Sequence, residues 1–136
     1  MFVSFRGTEP KSLKNWIDDL EFATISPYET SCGKTCKLHS GFYKSYKSLK
    51  DQIIRAFDRL GVTSRTRIHT TGHSLGAAMA TICAYDLRAD GYNIIQSYTF
   101  GEPRVGNKAF SESFGNTVGS PTVYRLTHWR DPVRLP

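Results

Sequence analysis

The sequence lacks several features that define special classes of protein. It has no run of 18 apolar residues, so no transmembrane helix is predicted. It has no internal repeat and no low-complexity segment. The first residues, MFVSFRGTEP, do not combine a basic region with a long apolar stretch, so they are not a signal peptide. With 39% hydrophobic and 22% charged residues, the 136-residue chain predicts one small globular domain over residues 1–136.

The basic charge is also spread thinly. The net charge is +6, but no block of five or more lysines and arginines occurs, and aromatic residues do not interleave with basic ones. A nucleic-acid partner is therefore not expected. The charge predicts a solvated basic face, with weak attraction to anionic interfaces as the alternative.

Cysteine is scarce, with three residues in all. Cys32 and Cys36 lie in the polar segment SCGKTC, where a small disulfide loop would indicate an oxidising compartment. Two free thiols, or a zinc site with His39, are the alternatives, although the zinc site lacks a fourth ligand at suitable spacing. Cys83 lies in an apolar helical stretch and is interpreted as a small core residue.

What the sequence does contain is an alternation of strand and helix patterns. Periodicity predicts strands at 2–5, 67–72, 94–101 and 122–127, and helices at 12–20, 40–60, 75–89 and 107–114. The segment between the first two helices reads as a polar loop to about residue 38. This alternation predicts an α/β fold with a mostly parallel sheet covered by helices on both faces.

The junction between the second predicted strand and the helix that follows reads GHSLG, residues 72–76. This fits the nucleophile elbow G-x-S-x-G, in which a sharp turn lifts a serine above the sheet. Gly72 and Gly76 would let strand and helix approach closely around Ser74. The alternative is a glycine-rich turn in which Ser74 only caps the helix.

An elbow serine also needs donors for the oxyanion that forms during acyl transfer. One donor comes from the backbone N–H after the nucleophile, here Leu75. The other comes from a loop after an earlier strand, and Gly7-Thr8 in FRGT is suitably placed. A simple strand-terminating turn is the other interpretation of FRGT.

A carboxylate should follow the serine in the chain. Asp131 follows the last predicted strand and is the first candidate, with a turn before Pro132 as its alternative role. Glu102 follows a strand and ranks second. Asp86 and Asp90 lie on or at the end of a helix, where solvated salt bridges are expected.

Taken together, the motifs resemble the class 3 (fungal-type) triacylglycerol lipase family. The segments that carry the resemblance occur in family order over nearly the whole chain: FRGT, NWIDDL, HSGFYKSY, TGHSLGAAMA, FGEPRVGN and YRLTHWRDPVRLP. The resemblance implies an α/β-hydrolase fold, here with its C-terminal part missing. It also implies that Ser74 is the nucleophile and Asp131 the triad acid, and that Thr8 and Leu75 form the oxyanion hole.

The resemblance assigns residues 12–20, SLKNWIDDL, to a lid helix. Its apolar stripe consists of Leu13, Trp16, Ile17 and Leu20, and suits a helix that uncovers an apolar surface at a lipid–water interface. Core packing explains the same stripe equally well.

None of the four histidines matches the family's triad base. By the resemblance, His39 and His128 are structural and His73 is the variable residue of the elbow, while His69 lies on the strand before it. The family's base follows the acid by several dozen residues, and residues 132–136 contain no histidine. We therefore expect the base to lie beyond this chain and residues 1–136 alone to be inactive.

The expected function is hydrolysis of acylglycerols without a metal or an organic cofactor. Phospholipase, galactolipase and feruloyl esterase activities occur on the same scaffold, and a non-catalytic protein that binds lipid or a partner is the alternative from another class. The expected localisation is secreted.

Overall fold

The computed structural model describes residues 1–7, 23–119 and 123–127. Thr8, the predicted helix at 12–20 with its apolar stripe, His128 and Asp131 lie outside these residues. In chain order the elements are β1 (Phe2–Phe5), β2 (Thr24–Ile25), α1 (Glu29–Cys32), β3 (Leu38–His39), α2 (Ser40–Arg59), β4 (Ile68–His73), α3 (Leu75–Ala89), β5 (Ile94–Phe100), α4 (Lys108–Val118) and β6 (Val123–Leu126).

The main sheet has four parallel strands in the order β1-β4-β5-β6. In register, Phe5 of β1 lies opposite Gly72 of β4, which lies opposite Thr99 of β5, and Thr99 lies opposite Arg125 of β6. The carboxyl ends of all four strands therefore meet at one edge, where open α/β sheets bind ligands. The predicted parallel sheet is confirmed.

Helix α3 forms the centre of the core. Every residue from Gly76 to Leu87 is buried, and the helix packs on β1, β4 and β5. Small residues on its first two turns, including Ala77 and Ala78, let the helix approach the sheet. Helices α2 and α4 both pack against α3, so α3 lies between the sheet and these two helices.

Helix α2 confirms the prediction from apolar spacing at 40–60. It buries Phe42, Tyr46 and Phe57 along one side. At its start, the Nδ1 atom of His39 accepts a hydrogen bond from the Gly41 N–H at 3.1 Å. Gly61, with φ 65°, follows the last turn.

The segment predicted as a polar loop contains more structure than expected. Strands β2 and β3 pair antiparallel, and α1 lies between them. Cys32 and Cys36 form a disulfide, so the predicted disulfide is confirmed and both sulfur atoms are unavailable to zinc. Cys83 is a free, buried thiol, as its core interpretation requires.

Asp86 corrects the interpretation of the helix α3 carboxylates as solvated. It forms a salt bridge with Lys50 at 2.7 Å, but it is buried and also accepts hydrogen bonds from the hydroxyls of Tyr46 and Tyr28 at 2.7 and 3.2 Å. Asp90 lies 2.7 Å from the same lysine and is 43% exposed, as expected for a solvated pair.

Candidate active site

Ser74 stands at the sharp turn between β4 and α3. Its backbone has φ 56° and ψ −121°, and it is the one non-glycine residue with positive φ in the described ranges. Such a conformation costs about 1–3 kcal/mol and is found mainly at functional sites. The Ser74 side chain makes no capping hydrogen bond, so the interpretation of Ser74 as a mere helix cap is wrong.

Two glycines make this turn possible. A Cβ atom at Gly72 would overlap the Gly76 carbonyl, and one at Gly76 would overlap the Phe5 carbonyl of β1. Any side chain at either position would force the helix off the sheet. The Ser74 N–H donates to the Phe100 carbonyl of β5 at 3.0 Å, and this bond fixes the strained residue against the neighbouring strand.

The described part of the chain supplies no hydrogen-bond partner for the Ser74 hydroxyl. Ser74 is fully buried, and its Oγ atom makes no hydrogen bond to any described residue. His69 stacks on Phe2, with ring centroids 4.6 Å apart, and His73 is exposed. Neither of these two histidines forms a hydrogen bond with the Ser74 hydroxyl.

The first predicted oxyanion donor, the Leu75 N–H, lies at the start of α3 directly after Ser74. Leu75 is the first residue of α3, so its N–H has no acceptor within the helix, and the helix dipole favours negative charge there. The end of β1 is close by, since a Cβ atom at Gly7 would meet the His73 carbonyl. Thr8, the second predicted donor, follows Gly7 directly and lies outside the described residues.

Glu102, the second candidate acid, has partners of a different kind. It is only 6% exposed, and its two carboxylate oxygens each accept a hydroxyl hydrogen bond at 2.6 Å, one from Thr81 of α3 and one from Thr99 of β5. The Nε atom of Arg125 lies 3.8 Å from this carboxylate. Burial raises the pKa of Glu102, while the two hydroxyls and Arg125 oppose that shift.

The sequence did not reveal the three residues around Glu102. Thr81 lies inside an apolar helix pattern, and Thr99 and Arg125 lie in ordinary strand patterns. Only the register of β5 and β6 and the packing of α3 bring them to one carboxylate.

The described residues also bear on two other kinds of site. They hold no group of three or more histidine, cysteine or acidic side chains placed to bind a metal ion. None of the described helices has the length and apolar character that crossing a bilayer requires.

A parallel sheet with a strained serine between its central strand and the next helix defines the α/β-hydrolase class. The chain belongs to the class 3 lipase family, because the family model "Lipase (class 3)" matches residues 2–135.

Individual relatives agree with this membership. A secreted mono- and diacylglycerol lipase A of Penicillium cyclopium is 35% identical over 98% of this chain and 42% of its own length. The crystal structure of a mono- and diacylglycerol lipase from Aspergillus oryzae is 38% identical, with a TM-score of 0.81 over 97% of this chain and 46% of that one. A triacylglyceride lipase structure from Rhizomucor miehei is 34% identical, with a TM-score of 0.79 over 97% of this chain and 49% of that one. The chain therefore spans less than half the length of these relatives.

Proposed function

We propose that the complete gene product is a serine ester hydrolase that cleaves acylglycerols, with Ser74 as the nucleophile. The observation that carries the proposal is the strained backbone of Ser74, whose buried hydroxyl makes no hydrogen bond to the described residues. Membership of the class 3 lipase family supports the reaction type. Relatives are named as a mono- and diacylglycerol lipase and as a triacylglyceride lipase, and these names support the substrate class.

The first half of the proposed reaction forms an acyl-enzyme. The Ser74 Oγ attacks the ester carbonyl carbon, and its proton passes to a histidine outside this chain, which Asp131 orients. The carbonyl oxygen becomes an oxyanion that accepts hydrogen bonds from the Leu75 N–H and from Thr8. The intermediate then collapses, the bond to the glycerol oxygen breaks, and the histidine returns the proton to that oxygen.

The second half releases the fatty acid. A water molecule gives a proton to the histidine and attacks the acyl carbonyl, and the same donors hold the second oxyanion. Collapse of this intermediate breaks the bond to the Ser74 Oγ, which recovers its proton from the histidine. No oxidant, metal or organic group takes part in either half.

We further propose that the protein is secreted and acts at a lipid–water interface. The Cys32–Cys36 disulfide and the relatives named as secreted lipases support secretion. The amphipathic stripe at residues 12–20 supports the interface, because a helix of this kind can expose its apolar side to lipid.

The test is a substrate panel with a nucleophile variant. The complete gene product should hydrolyse emulsified mono-, di- or triacylglycerol, and Ser74→Ala should lower the rate by about a thousandfold or more while the fold is kept. Ser48→Ala, which removes an exposed hydroxyl on α2, is the matched control and should retain full activity.

Two results would count against the proposal. Ser74→Ala with a rate within tenfold of the parent would exclude Ser74 as the nucleophile. Turnover of phospholipid or feruloyl esters in place of acylglycerols would keep the mechanism and overturn the substrate class.

A further inference from the structure

Glu102 links three elements at the carboxyl edge of the sheet. Its carboxylate accepts hydrogen bonds from Thr81 on α3 and Thr99 on β5, and its backbone carbonyl accepts one from the Arg125 Nη2 atom on β6 at 2.6 Å. The same arginine lies 3.8 Å from the carboxylate through Nε. One buried residue therefore connects the helix after the elbow with both strands beyond it.

These contacts continue to the nucleophile on one side. The Ser74 N–H donates to the Phe100 carbonyl, and the Gly101 N–H donates to the Leu126 carbonyl, each at 3.0 Å. Backbone hydrogen bonds thus link the end of β4 to the end of β5, and the end of β5 to the end of β6. Arg125 and Leu126 form the end of β6, and four residues of the sequence separate Leu126 from Asp131.

The buried Glu102 carboxylate attracts Arg125, which lies on the β6 side of it. A carboxylate that is 6% exposed loses hydration and requires compensation from hydrogen bonds and an opposite charge. Two threonine hydroxyls occupy its oxygens, and Arg125 supplies the positive charge from the β6 side. The attraction therefore pulls the end of β6 towards the elbow side of the sheet.

We propose that Glu102 and Arg125 are positioning residues: they fix the end of β6, the strand that precedes Asp131 in the sequence, against the elbow side of the sheet, and the work of the triad acid depends on that placement. This inference rests on the proposed function, since it takes Asp131 as the triad acid. It gives Glu102 a role through Arg125 in place of direct contact with the catalytic base.

The experiment is a double-mutant cycle in the complete gene product. Arg125→Met should lower kcat, per active site counted by burst titration, by about ten- to a hundredfold, because a misplacement near 1 Å at a catalytic group has effects of this size. KM should stay within about threefold, because the substrate contacts are unchanged. In an Asp131→Asn background, Arg125→Met should lower kcat by no more than about twofold, because the group it positions is already disabled.

Three further variants make the result specific. Arg125→Lys keeps the charge and should return kcat to within about fivefold of the parent, since only the forked geometry is lost. Arg104→Met removes an arginine from the same cavity, of about 220 Å³, that Glu102 and Arg125 line, and should leave kcat unchanged. Glu102→Gln should lower kcat less than Asp131→Asn does, because it removes the charge but keeps groups that can pair with both threonines.

The inference is overturned if the losses from Arg125→Met and Asp131→Asn are simply additive, or if Arg125→Met behaves like Arg104→Met. It is also overturned if Glu102→Gln lowers kcat as much as the loss of a triad acid should, while Asp131→Asn leaves kcat unchanged. Arg125 is half exposed, so its variants decide the question even if Glu102→Gln fails to fold. Full activity in both Ser74→Ala and Asp131→Asn would instead show that the proposed function is wrong.

Discussion

At the scale of single residues, the elbow is a balance between strain and close packing. Ser74 has an unfavourable backbone conformation, and the hydrogen bond from its N–H to the Phe100 carbonyl helps to hold it there. Gly72 and Gly76 leave no room for a side chain between β4, α3 and β1. Ser74 is therefore held by backbone contacts on both sides of it.

This packing predicts that Gly76→Ala is strongly destabilising. The added methyl group would meet the backbone of β1, which cannot yield as a side chain can, so we expect a loss of about 3 kcal/mol in the free energy of unfolding and loss of activity. Urea denaturation of the complete gene product measures the change.

Gly115→Ala provides the control for this prediction. Gly115 lies inside α4, and a Cβ atom there would contact nothing within 4 Å. Alanine should stabilise the helix by about 0.5–1 kcal/mol. A Gly76→Ala protein as stable as the parent would show that the elbow is not packed as described.

At the scale of elements, a buried polar cluster joins α2 to α3. Tyr46 and Lys50 of α2 and Tyr28 before α1 all contact the Asp86 carboxylate of α3. Burial and the nearby Asp86 charge raise the pKa of Tyr46, so its hydroxyl stays protonated and donates. Burial lowers the pKa of Lys50, and the Asp86 and Asp90 carboxylates more than reverse that effect. Lys50 therefore stays charged at neutral pH.

The cluster predicts very different effects for the two carboxylates. Asp86→Ala leaves a largely buried lysine and a buried hydroxyl without their main partner, and should cost about 3 kcal/mol of unfolding free energy. Asp90→Ala removes an exposed partner of the same lysine and should cost less than about 1 kcal/mol. Chemical denaturation of the two variants side by side tests the contrast, and equal costs would contradict it.

The main strands and the long helices follow from the sequence, and the two-residue strands β2 and β3 and the one-turn helix α1 do not. Helix α2 was predicted to within one residue because its apolar residues repeat over five turns and Gly61 ends the pattern. The β2–β3 pair was missed because two-residue strands carry no periodicity. Asp86 was placed in solvent because a charge in a helix gives no sign of the tyrosines that the fold brings to it from elsewhere.

At the scale of the whole molecule, the site is assembled from distant parts of the chain. The sequence located Ser74 because the elbow motif is local, and the structure added its strained conformation. The contacts of Glu102 with Thr81 and Arg125 depend on strand register, which no local pattern encodes. The predicted roles of Thr8 and Asp131 stay predictions.

A lid helix at residues 12–20, as the sequence predicts, would affect activity on some substrates more than on others. Trp16→Ala should lower hydrolysis of emulsified lipid by about tenfold, through lost apolar area at the interface, and affect a dissolved short-chain ester much less. Trp16→Phe keeps an aromatic side chain and serves as the control. Equal losses on both substrates would point to a packing role for the stripe.

The central claim is that Ser74 is the nucleophile, and covalent labelling tests it most directly. The complete gene product would be treated with a fluorophosphonate, which reacts with activated serines, and the modified peptide identified by mass spectrometry. The account predicts one label per molecule, on Ser74, with loss of ester hydrolysis in parallel and no label on Ser74→Ala. Inactivation accompanied by a label on another residue, with Ser74 unmodified, would contradict it.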